Sequence, residues 1–177
     1  MNNYIQESKE KRKKERDISF HYTQESMVKD LISLIPFNYR DSVLDAGSGK
    51  NKVWYKQFQT SGYKDSGIMC DECEIEDGVD FLLLEKKYNW IIGNPPFSLG
   101  WKFLDKATDL AKDGVAFLGN INFINCLNQN RMEQLKIKGF YLSKIHIVSD
   151  KRWYGRYYFL IFTKNKNDFI SWKKESY

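Results

Sequence analysis

Cysteine, histidine and proline are all scarce in this 177-residue chain, with three, two and three copies respectively. Cys70, Cys73 and Cys126 cannot all pair and are too few for a disulfide scaffold, so a reducing compartment fits best. Cys70 and Cys73 form a lone C-x-x-C with no second pair and no histidine nearby, which argues against zinc. His21 and His146 are isolated, and His146 sits in an apolar stretch that suits a core or edge strand. No apolar run approaches the roughly 18 residues of a membrane span. The N-terminus is charged with no apolar stretch behind it, so no secretory signal is expected. The length suits one domain with one sizeable core.

What is plentiful is aromatic character and locally concentrated charge. Twelve Phe, eleven Tyr and five Trp are too many to be surface decoration, so most must be core. The net charge of +5 is carried almost entirely by residues 9–16, K-E-K-R-K-K-E-R, which alone are +4. That octapeptide suits phosphate contacts to a polyanion, and it equally suits a solvated tail.

Residues 1–17 read as a basic arm, residues 18–164 as the folded domain, and residues 165–177 as a C-terminal tail. Within the domain, residues 23–35 carry a helical apolar stripe that Pro36 closes. Strands are predicted at 42–46, 65–70, 79–81, 88–93, 114–119, 144–148 and 157–163. Helices are predicted at 52–60, 101–112 and 127–138. Strands alternating with helices indicate a mostly parallel, doubly wound α/β sheet. The last two strands, joined by a short link, indicate an antiparallel hairpin that completes it.

Two of the three prolines are adjacent, in the stretch N-W-I-I-G-N-P-P-F that ends at Phe97. The run from Tyr88 to Gly93 has no polar alternation and reads as a buried parallel strand. Pro95 and Pro96 cannot extend a ladder or a helix, so the chain turns stiffly there. Asn94 then presents an amide at a strand's C-terminal end, where open α/β sheets place ligands. Amide oxygen, rigid carbonyl and the Phe97 ring together suit a planar aromatic amine. An ordinary turn-forming Asn before Pro is the structural alternative.

A second turn, D-A-G-S-G-K-N from Asp45 to Asn51, lies between an apolar strand and a helix. Its glycines allow close approach of a ligand to the backbone, as an ordinary strand-to-helix turn also would. It is not a P-loop: Leu44 stands where the first glycine belongs, and Lys50 precedes Asn51 rather than Ser or Thr. Nor is it the full dinucleotide fingerprint, because the third glycine is missing.

An acidic-Gly-x-Gly turn followed by apolar-strand-N-P-P-F resembles the S-adenosylmethionine-dependent amino-group methyltransferases. The pattern is most similar to the adenine-specific (N6) DNA methyltransferases, above all the small phage-type enzymes whose motif runs on into a helix, here through Ser98-Leu99-Gly100-Trp101. The resemblance covers roughly residues 20–163. It implies a Rossmann-like class I methyltransferase fold, S-adenosylmethionine as cofactor, and the cytoplasm of a bacterium or phage-infected host, in restriction-modification or phage biology.

Carried over by position, the resemblance implies that Asp45, Ala46, Gly47 and Gly49 hold the methionine part of the cofactor. Asp71, taken as the second strand's end, would accept the ribose hydroxyls, and Asp80 would face the cofactor's adenine amine. Tyr22 and Thr23 belong to a segment that would close over the cofactor, with Asn94 also beside it. Gln24 stands where that segment usually has Pro, and Asn51 where the glycine turn usually has its third glycine.

The implied chemistry is positional. If Asn94 Oδ1 and the Pro95 carbonyl each accept one N–H, the amine nitrogen can pyramidalise and aim its lone pair at the methyl donor. Pro96 stiffens the turn, and Phe97 would stack on the base for about 1–3 kcal/mol. The base must be flipped or single-stranded, and neither a metal nor a covalent nucleophile is required. Arg152, Trp153, Tyr154 and Arg156 suit base stacking with phosphate contacts, while Tyr157, Phe159 and Ile161 equally suit alternation into the core.

The expected substrate is DNA adenine. RNA adenine, a protein glutamine amide and a non-catalytic nucleic-acid-binding subunit are the alternatives. No separate target-recognition domain is evident, so specificity is expected from residues 120–130 or 151–156, from a protein partner, or from a second copy of the chain.

Overall fold

The computed structural model describes residues 23–149 and 156–166. Helix α1 (Glu25–Ile32) buries Val28, Leu31 and Ile32 along one stripe. It stops short of residue 35 because the N–H groups of Leu34 and Ile35 bond back only three residues, to Leu31 and Ile32, tightening the last turn ahead of Pro36. Strand β1 (Ser42–Ala46) leads through the glycine turn into α2 (Val53–Phe58), then α3 (Ser61–Asp65) and β2 (Met69–Cys73). A crossover of two 3-10 turns, Ile75–Asp77 and Phe81–Leu83, reaches β3 (Tyr88–Gly93). Then come the 3-10 turn Phe97–Leu99, α4 (Gly100–Leu110), β4 (Ala111–Asn120), α5 (Ile121–Asn125), α6 (Gln129–Ile137), β5 (Tyr141–Val148) and β6 (Tyr157–Thr163).

The six described strands form one sheet in the order β2-β1-β3-β4-β6-β5. The first four are mutually parallel; β6 runs antiparallel to both its neighbours. Successive residues of the central strands serve opposite layers. Leu44, Ile91, Val115 and Phe117 pack with α4, α5 and α6, while Val43, Trp90, Ile92 and Ala116 pack with α1 and α2. Burial on both faces is why these strands read as unbroken apolar runs. The doubly wound sheet with a terminal hairpin is therefore as expected, with one refinement. Strand β6 inserts between β4 and β5, which leaves β5 at the edge with residues 144–147, His146 among them, exposed.

Three expectations are corrected. The second strand is not 65–70: Asp65 ends α3, and β2 runs over Met69–Cys73. As an edge strand, β2 does not need two apolar faces, so Asp71, expected at its end, lies within it together with Glu72. No strand forms at 79–81; Asp80 instead caps the 3-10 turn after it, its Oδ1 accepting the Leu82 N–H at 2.9 Å. Helix α5, capped by the Asn120 side chain, had no counterpart in the sequence reading, being only five residues long. Residues 1–17 and most of the predicted tail lie outside the described residues. No described helix is long and apolar enough to cross a membrane.

Candidate active site

The two motifs leave the sheet side by side. Strands β1 and β3 are parallel neighbours, with Asp45 opposite Ile92, so the glycine turn and the N-P-P-F turn emerge together at the C-terminal edge. Chain order reverses between these two strands, which is where open α/β sheets form their ligand crevice. A cleft of about 850 Å³ opens there. Its walls are the glycine turn, the β2–β3 crossover and residues 94–99, and Phe103 lies at its base.

Asn94 is held by unusual backbone next to it. Gly93 has φ of 141°, and a Cβ there would sit 2.8 Å from the Ala46 carbonyl oxygen, so no side chain fits. Beyond it, Asn94 borders the cleft, and its Oδ1 is buried without a hydrogen-bond partner. A buried amide oxygen left unpaired is costly, and such groups are rare unless they serve a ligand. The Pro96 carbonyl accepts the Leu99 N–H at 2.8 Å and closes the turn. Among the described residues, no hydrogen bond reaches the Pro95 carbonyl. Phe97 borders the cleft and meets the Tyr157 ring at 6.0 Å between centroids.

The glycine turn is tied to β2. Gly47 and Ser48 donate their N–H groups to the Cys73 carbonyl at 3.1 and 3.0 Å, and Gly49 N–H donates to Glu74 Oε2 at 2.6 Å. Gly47 and Gly49 both adopt positive φ, at 71° and 64°, which a side chain would strain. Thr23, Gly47, Gly49, Asp80, Asn94, Pro95, Pro96 and Phe97 all border the cleft. Asp45 and Ala46 do not; both are fully buried behind the turn. Asp45 Oδ2 accepts the Tyr55 N–H at 3.0 Å, and its Oδ1 has no partner. Burial pushes the Asp45 carboxyl up to about 7, with Glu72 and Glu74 adding to the effect and the Tyr55 bond opposing it.

Asp71 is not where the sequence reading put it. It is the third residue of β2, opposite Leu44, and its carboxylate is occupied by Lys86 at 2.6 Å and the Tyr88 hydroxyl at 2.8 Å. The Lys86 ammonium, with help from Tyr88, holds its pKa below the usual carboxylate range. It does not border the cleft. The carboxylate that does, just past the end of β2, belongs to Glu74. The signal lies in the acidic run D-E-C-E, whose last member, Glu74, and not its first, Asp71, lies past the strand's end.

Tyr157 pairs with both Asn120 and Val148, so β5 ends and β6 begins at the same sheet edge as Asn94. Arg156 is exposed at its end. Tyr22, Arg152, Trp153 and Tyr154 lie outside the described residues. Tyr157, Phe159 and Ile161 are core residues.

No family model and no curated protein matches the chain. Solved structures do. A methyltransferase from Pyrococcus furiosus superposes with a TM-score of 0.55 at 14% identity, over 81% of this chain and 84% of that one. TrmN from Thermus thermophilus gives 0.52 at 18% identity over 81% of this chain, which spans about half (49%) of TrmN. The magnesium protoporphyrin IX methyltransferase ChlM from Synechocystis, with bound SAH, gives 0.51 at 13% identity over 86% of each chain. The fold is that of the class I S-adenosylmethionine-dependent methyltransferases.

Proposed function

We propose that this chain transfers a methyl group from S-adenosylmethionine to the exocyclic amine of adenine in DNA. The observation that carries the reading is Asn94, a residue of the cleft wall beside Phe97 whose Oδ1 is buried and unpaired.

The cleft residues fit the cofactor. Two glycines leave a bare backbone at the turn, Glu74 and Asp80 offer carboxylates for hydroxyl and amine donors, and about 850 Å³ accommodates a nucleoside-sized ligand. Thr23, Gly47, Gly49, Glu74 and Asp80 would hold it, with Asp45 supporting the turn from behind. When bound, S-adenosylmethionine supplies a methyl group on a positively charged sulfur.

The chain's own contribution is orientation. An adenine amine is a weak nucleophile because its lone pair is delocalised into the ring. Asn94 Oδ1 and the Pro95 carbonyl accept its two N–H groups, which frees the lone pair to point at the methyl group. The same oxygens would stabilise the positive charge that grows on nitrogen as the N–C bond forms and the methyl group's bond to sulfur breaks, the electron pair staying on sulfur, before a proton leaves to water. Phe97 stacks on the base.

A nucleic acid rather than a protein substrate is supported by the charge near this site. The basic octapeptide precedes Thr23, a cleft residue, in sequence, and Arg156 leads into β6 at the same sheet edge as Asn94. Residues 120–130 leave that edge too, so base context would be read there, or by a partner or second copy.

Radiolabelled methyl donor offered in parallel to DNA, RNA and protein tests the proposal. Label is expected at N6 of adenine in DNA, and far less of it with Asn94→Ala. Label in RNA alone would move the substrate class, label in protein glutamine would replace it, and no transfer or cofactor binding at all would overturn the enzyme reading.

A further inference from the structure

The third position of the glycine turn is Asn51, and the residue after it, Lys52, adopts the left-handed conformation at φ 47° and ψ 44°. L-residues other than glycine resist that conformation because Cβ crowds the backbone. Something must therefore hold it, and a set of carboxylates from β2 and the crossover does. Lys52 Nζ bonds Glu72 Oε1 at 2.6 Å and Asp77 Oδ2 at 2.8 Å. The other Glu72 oxygen, Oε2, accepts the Ser48 hydroxyl at 2.7 Å. Glu72 thus grips the middle of the turn and its far end with one side chain. The contacts with Asp77 and Glu72 raise the Lys52 pKa, so the ammonium keeps its charge throughout the ordinary pH range.

Neither Glu72 nor Lys52 borders the cleft; both touch the turn from behind. The pairing is also ordered along the two walls. Gly49 bonds Glu74, Lys50 reaches Glu76 at 3.5 Å, and Lys52 bonds Asp77, so the turn and the crossover are joined step by step. The Lys50–Glu76 pair is largely exposed and contributes little. The Glu72–Lys52 pair is mostly shielded, with side chains 22% and 31% exposed, and carries the weight of the join.

We infer that Glu72 is a positioning residue that preorganises the cofactor turn, its ionic clamp holding Lys52 in a left-handed conformation that glycine would adopt unaided. This rests on the methyltransferase reading above for its ligand. Its contacts with the turn are to Ser48 and Lys52, so it governs how well the turn is shaped for binding and leaves the chemical step alone.

Three proteins test it: the wild type, Glu72→Gln, and Glu72→Gln combined with Lys52→Gly. Amide hydrogen exchange across residues 47–52 is measured without ligand, S-adenosylhomocysteine affinity by calorimetry, and turnover at saturating methyl donor. Glu72→Gln is expected to speed exchange in the turn and to raise the dissociation constant about tenfold, with saturated turnover changed less than about twofold. Adding Lys52→Gly should restore affinity to within about threefold of wild type, because glycine adopts the left-handed conformation unaided. A purely structural Glu72 would show neither the split between affinity and turnover nor the rescue. Unchanged exchange and affinity in Glu72→Gln, or a failed rescue, overturns the inference. Should the wild type bind no ligand, the methyltransferase reading falls, and ligand-free exchange alone still decides the clamp. If Glu72→Gln does not fold, Ser48→Ala removes one grip and should raise exchange at Gly49 and Lys50; no change there counts against the clamp.

Discussion

Gly93 lies so close against Asp45 that a Cβ on it would stand 3.3 Å from the Asp45 Oδ1. Two residues of neighbouring parallel strands thus pack backbone against carboxyl, directly beneath the Asn94 turn. Gly93→Ala would meet both this contact and the φ of 141°. The variant is expected to lose about 1–3 kcal/mol of stability in urea unfolding and to displace Asn94, lowering methyl transfer as well. Wild-type stability in the variant would show that the strand ends separate freely.

Asn94→Ala removes an acceptor that no other described residue uses. The fold should tolerate it well, because the orphaned oxygen contributes no internal hydrogen bond. Cofactor affinity should stay near wild type while turnover falls by about 10²–10³, as for loss of one preorganised transition-state contact. Single-turnover kinetics separates the two effects, and a variant that turns over normally would remove Asn94 from the reaction.

Glu74, rather than Asp71, should serve the cofactor. Glu74→Gln is expected to weaken cofactor binding by about tenfold, since it holds Gly49 and borders the cleft. Asp71→Asn releases only Lys86 and the Tyr88 hydroxyl at a partly exposed site. Its effect should stay below about 1 kcal/mol of stability, with no change in cofactor affinity. Calorimetric titration of both variants decides between the two carboxylates.

The Asp45 carboxyl makes stability depend on pH in a particular direction. Its folded pKa, about 7, lies above the ordinary 3.8, so between these values the native state holds a proton that the unfolded chain has released. Its contribution is fully present below about 4, declines as pH rises, and is lost above about 7. Asp45→Asn should remove this part of the slope and be more stable than the wild type at pH 8. Denaturant midpoints from pH 5 to pH 8 read it directly; a wild type that gained as much stability over this range as the variant would contradict it.

Where the chain is buried on two faces, its own residues sufficed to place the structure. Strands 42–46, 88–93 and 157–163 stand at the bounds expected of them, because an unbroken apolar run has no other stable setting in a domain this size. The Asn94–Phe97 turn was equally legible, since adjacent prolines stop a strand wherever it lies. What depended on neighbours was not legible. Whether Asp71 or Glu74 faces the cleft turns on β2 being the sheet's edge, where polar residues are tolerated inside a strand. The burial of Asp45 and the placing of β6 between β4 and β5 are likewise set by which strands lie alongside. Local sequence determines where the backbone must bend or bury itself; only tertiary packing decides which carboxylate a ligand would meet and which is shut away behind the turn.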